Sequence, residues 1–110
     1  MTKELRQIMF GPLEIITAIT EYHRRRSFTM PRGTALRCYI ADEPALSATM
    51  FIETDSAGIT EMSIDAENLA AALILYCIKR KIPLPVESEK RLRKLTDETV
   101  ALFLIKPPRA

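Results

Sequence analysis

Residues 36–64 read LRCYIADEPALSATMFIETDSAGITEMSI, and their alternation of apolar and polar side chains decides the fold. Three short runs, 36–41, 47–54 and 59–64, repeat at a period of two, the mark of strands with one buried face. Asp55, Ser56, Ala57 and Gly58 make a hairpin loop between the last two runs, because Asp braces a turn and Gly tolerates positive φ. Glu43-Pro44 marks a looser bend before Ser47. The expectation is a three-stranded antiparallel meander. Parity then sends Leu36, Cys38, Ile40, Ala48, Met50, Ile52, Thr60, Met62 and Ile64 inward. Arg37, Tyr39, Thr49, Phe51, Glu53, Glu61 and Ser63 stand on the other face.

Helices flank the meander. Gly11-Pro12 opens the first, Pro being suited to a helical position whose amide has no partner. Ile15, Ala18, Ile19 and Tyr22 then recur on one side, so 12–26 reads as an amphipathic helix closing on Arg24, Arg25 and Arg26. Asp65 is the natural N-cap of a second helix, 66 to about 81, apolar almost all round and so buried on more than one face. Pro83 and Pro85 stop it. Residues 88–95, SEKRLRKL, read as a short charged helix, with Glu87 and Arg91, and Glu89 and Arg93, at i, i+4 spacing. Thr99–Ile105 contains VALFLI, an apolar run expected of a buried internal strand. Residues 1–9 and 106–110 read as loosely ordered termini.

These elements predict one α+β domain over 1–110. It has a four-stranded antiparallel sheet with the two main helices on one face, in the order αβββααβ. Shifted by 54 residues, Phe10, Ile15, Ala18, Ile19, Tyr22, Arg26, Phe28, Met30 and Pro31 fall on Ile64, Leu69, Ala72, Leu73, Tyr76, Arg80, Ile82, Leu84 and Pro85. The match suggests two copies of a helix-to-strand unit with the hairpin inserted between them. The Ile82-Pro83-Leu84-Pro85 helix exit resembles that of short uncharacterised proteins of alphaproteobacteria, over about the last third of the chain. That resemblance makes the chain bacterial in expectation and implies no activity.

Composition narrows the function. The chain has 110 residues, 47% of them hydrophobic, enough for one small core and incompatible with a disordered tail or a multidomain enzyme. Cys38 and Cys77 lie apart in apolar runs, as reduced intracellular thiols do, and the charged opening residues with their Gly-Pro break give no expectation of export. The longest apolar run, 69–78, is about half of the ~20 residues a membrane helix needs, so the expected setting is the cytoplasm without membrane contact. The net charge of +2 hides an uneven distribution. Residues 38–78 carry seven acids and no Lys or Arg, a formal −7, and the remainder carries +9. A chain divided in this way is suited to contacts with itself.

No residue pattern predicts catalysis, a metal or a cofactor. His23 is the only histidine, it lies beside three arginines, and the two cysteines have no zinc-ligand spacing. With Gly11, Gly33 and Gly58 as its only glycines, the chain also lacks a phosphate-cradling loop. The expected function is therefore a non-enzymatic interaction or scaffold module that forms a homodimer or binds another protein. Its contact would be the sheet face of Arg37, Tyr39, Phe51, Glu53 and Glu61, nucleic-acid stacking there being opposed by the two glutamates. A nucleic-acid or phosphate ligand is the alternative. It would be held by Arg24, Arg25, Arg26, Lys79, Arg80, Lys81, Lys90, Arg91, Arg93 and Lys94, although cations also belong at helix C-termini for dipole reasons. A third reading places a small ligand between helices and sheet, near Tyr22, His23 and Tyr76.

Overall fold

A computed structural model describes residues 4–26, 30–56, 58–85 and 87–106. The expectations for Phe28, for Ala57 and for a loose end beyond Lys106 lie outside these residues. The described residues open with strand β1 (Glu4–Phe10), where a loose terminus was expected, and continue into helix α1 (Pro12–Arg25). Glu14 starts that helix by reaching back to accept a hydrogen bond from Gly11 N–H at 2.8 Å. Strands β2 (Thr34–Ala41), β3 (Ser47–Thr54) and β4 (Gly58–Asp65) form the meander. Helix α2 (Ala66–Lys79) follows, capped by the Asp65 carboxylate, which accepts from Asn68 N–H at 2.8 Å.

Residues 89–96 are strand β5 (Glu89–Thr96), which corrects the short helix expected there. Strand β6 (Thr99–Lys106) is the last described element. The i, i+4 charges suggested a helix, but period two wins. Leu92 and Lys94 turn inward while Arg91 and Arg93 turn out, and the ion pair that forms is Glu89 to Arg91 at 2.7 Å, the i, i+2 spacing of one strand face. Strand β6 supplies the reason. It is an apolar run with two hydrogen-bonding edges to fill, and β5 and β1 fill them.

The single four-stranded sheet in the order αβββααβ is therefore corrected to two helices and two three-stranded antiparallel sheets among the described residues, β1-β6-β5 and β2-β3-β4. The element order is βαββ twice. A shift of 54 residues carries Pro12–Arg25 onto Ala66–Lys79, and β1 onto β4. The hairpin is thus not an insertion between two units: β2 and β3 end the first half and β4 begins the second. Each half gives its first strand to the other half's sheet.

The helices pack on each other, with α1 over β2 and α2 over β3, β4 and β5. One core joins both sheets. Ile15, Ile19, Leu69 and Leu73 from the helices meet Met50 and Ile52 from one sheet and Phe10, Leu102 and Leu104 from the other. The sheets also touch where Ile40 N–H donates to Asp97 O at 2.6 Å. Gly33 fixes the approach to β2, since a Cβ there would strike the Glu53 carbonyl. No helix among the described residues is long and apolar enough to cross a membrane.

Candidate interaction surfaces

The open face of the β2-β3-β4 sheet gathers the five contact residues expected from parity. Cys38, Ile40, Ala48, Met50, Ile52 and Ile64 are buried, while Arg37, Glu53 and Glu61 are exposed and Phe51 is half-buried. Leu36 is the exception, 44% exposed because the β2-β3 register shifts between Ala35 and Arg37. Tyr39 meets Phe51 edge-on, ring centroids 5.6 Å apart, and is only 37% exposed. Arg37 donates to the Tyr39 hydroxyl at 2.8 Å and lies 3.6 Å from Glu98. The aromatics therefore contact each other, and Arg37 beside them already has partners in Tyr39 and Glu98. Phe103 lies in the other sheet.

That other sheet has the more apolar open face, which the sequence reading missed. Residues directly opposite across antiparallel strands share a face. Leu5 opposes Ile105, Gln7 opposes Phe103 and Met9 opposes Ala101, with Arg91 and Arg93 opposing Phe103 and Ala101 from β5. Leu5 is 63% and Met9 67% exposed, and Phe103 and Ile105 are half-buried. The apolar stripe runs from the free edge at β1 to a basic border at β5. Its signal was present in the alternation of Leu5 and Met9 with Ile8 and Phe10, but it could not be assigned to a face without β1.

The basic residues separate into two regions. At the helix ends, Arg24, Arg25, Lys79 and Glu21 line one groove of about 270 Å³ with Leu75. Glu21 binds Lys79 at 3.2 Å and Arg80 at 3.0 Å. The Arg80 hydrogen bond, helped by Lys79 and opposed by desolvation, holds the Glu21 carboxyl below its ordinary value. A larger open groove of about 610 Å³ is lined by Thr20, Arg24, Met30, Pro31, Arg32 and Gly33. Arg26 and Arg80 instead lie over Tyr22 and Tyr76, with Cζ 5.6 and 3.7 Å from the ring centroids. Lys81 continues the end of α2, with a left-handed φ of 56°. Lys90, Arg91, Arg93 and Lys94 are on β5, where alternation divides them between two faces, so the ten cations do not form one surface.

The groups considered for small-ligand chemistry have structural partners. The Tyr22 hydroxyl lies 2.8 Å from Asn68 Oδ1, Tyr76 packs edge-on against Phe10 at 6.0 Å, and His23 Nδ1 lies 2.9 Å from Ile19 O. Burial pushes the Cys38 thiol up to about 11 and raises that of Cys77, which makes both poor nucleophiles near neutrality. No group of three His, Cys, Asp or Glu gathers among the described residues in a way that could hold a metal ion. Comparison of the chain with protein-family models, with curated proteins and with solved structures finds no match.

Proposed function

We propose that the chain is a non-enzymatic protein-interaction domain that self-associates through the β1-β6-β5 sheet, at the β1 margin where its apolar open face reaches a free edge. The carrying observation is the stripe of Leu5, Met9, Phe103 and Ile105, apolar and bordered by charge, on a small domain. Contiguous apolar surface of this kind favours burial against a partner, whereas scattered apolar side chains do not. The Tyr39 and Phe51 face is the weaker contact, because Glu53, Glu61 and the Arg37–Glu98 pair would have to be desolvated. Sedimentation equilibrium tests the reading: self-association that weakens in Met9→Glu and persists in Tyr39→Glu supports it, and a monomer at every concentration contradicts it.

A second reading rests on a separate observation, the larger groove at the end of α1. Arg24 and Arg32 are its only charged lining residues among those described, so it would favour the phosphate group of a small anionic ligand. The Thr20 hydroxyl donates to Ile16 O at 2.8 Å, leaving recognition to the two guanidinium groups. Saturable binding of inorganic phosphate or a nucleoside monophosphate by calorimetry, lost in Arg24→Ala/Arg32→Ala, supports this reading. Unchanged heats in the double variant contradict it.

A further inference from the structure

The four edge strands differ in how well they could receive another strand. Edges are ordinarily guarded by charge, by bulges or by cover from the rest of the chain. Strand β5 carries Lys90, Arg91, Arg93 and Lys94 against one acid, and its register with β6 shifts between Lys94 and Thr96. It also approaches β2, at the end where Asp97 accepts from Ile40 N–H. Strand β2 is bulged at Leu36, and that same bond occupies its edge. The only charged residues of β4 are Glu61 and Asp65, so pairing two β4 strands in antiparallel fashion sets acid near acid. Strand β1 is the least guarded: it has no bulge, and its two charged residues, Glu4 and Arg6, are of opposite sign. Its seven residues pair with β6 without a register shift, and Leu5 and Met9 stand exposed along it.

We propose that β1 pairs antiparallel with β1 of a second copy, joining two three-stranded sheets into one of six strands. The proposal rests on the self-association reading and names its partner and register. Matching faces requires that paired residues have the same parity. Centring the two-fold axis on Gln7 pairs all seven residues and sets Leu5 opposite the second copy's Met9 twice, extending both apolar stripes across the junction. Centring it on Arg6 would put two guanidinium groups directly opposite each other, and centring it on Ile8 would leave Leu5 unpaired. Charge and length therefore select Gln7. A seven-residue strand is roughly 24 Å long, so the contact falls at the small end of specific interfaces and the dimer should be weak, about micromolar.

Directly opposed residues of antiparallel strands lie close enough for a disulfide, and both native cysteines are buried. Under mild oxidation Gln7→Cys should become a covalent dimer, while Thr49→Cys, on the open face of the other sheet, should not. Met9→Lys should raise the dimer Kd by about tenfold or more, whereas Glu61→Lys on β4 should not. Circular dichroism establishes that each variant is folded, and Met9→Lys decides the matter if Gln7→Cys does not fold. A dimer that forms normally with no preferential Gln7→Cys crosslink and no effect of Met9→Lys overturns the β1 pairing and leaves self-association standing. A wild-type chain that stays monomeric at millimolar concentration overturns both.

Discussion

Both sheets have three antiparallel strands and pack one face on the same helix pair, yet their other faces have different chemistry. On β2-β3-β4 the aromatics touch each other and stand among Arg37, Glu53 and Glu61, with β2 bulged and tied to Asp97. On β1-β6-β5 the apolar side chains continue to an edge with no bulge and only one described charged side chain, Arg6. Charge guards the first face, because Glu53, Glu61 and the Arg37–Glu98 pair would lose water on burial. The second keeps its stripe and its backbone edge available, and the exchange of first strands between the halves is what puts β1 there.

Breaking each sheet separately should give the largest effects. Gly33→Ala drives a Cβ into the Glu53 carbonyl, so it should cost about 3 kcal/mol in denaturant unfolding while leaving β1 intact. Leu102→Ala, in the buried centre of the other sheet, should cost a comparable ~3 kcal/mol by opening a cavity. Tyr22→Phe tests the helix pair that both sheets share. Loss of the bond to Asn68 Oδ1 should cost about 1 kcal/mol, and an unchanged unfolding midpoint would show that this bond contributes nothing.

Smaller effects are expected at the helix ends. Lys81 has a left-handed φ of 56°, and Ile82 N–H donates to Cys77 O at 2.9 Å, so Lys81→Gly should stabilise the chain by about 0.7 kcal/mol. Glu21 provides a test by pH. Its folded carboxyl is held below the ordinary value of 4.5, so its contribution is present above that value and is lost as pH falls through the depressed folded value. Wild type should therefore exceed Glu21→Gln in thermal midpoint at neutral pH by a small, salt-sensitive margin, and the difference should shrink in acid.

Much of the local structure was legible in the sequence. Ile15, Ala18, Ile19 and Tyr22 mark the buried side of α1, Asp65 caps α2, and parity separated Met50 and Ile52 from Phe51 and Glu53. What failed was the choice of period in SEKRLRKL, where charges fit a helix at i, i+4 and a strand at i, i+2. Only the unfilled edges of β6 decide between them, and that partner is distant in sequence for β1. With 88–95 read as a helix, the sequence shows no sheet for β1 to join, and Leu5 and Met9 read as residues of a loose end. The sequence therefore directed attention to Tyr39 and Phe51 and hid the more apolar face.

Backbone amide exchange measured over a range of protein concentrations tests the β1 contact most directly, because it compares the free edges within one molecule. Amides on the outer edge of β1 should become more protected as concentration rises, while those of β4 keep their dilute-solution rates. Equal behaviour of the two edges, or protection gained at β4 alone, would contradict the assignment of β1 as the pairing strand.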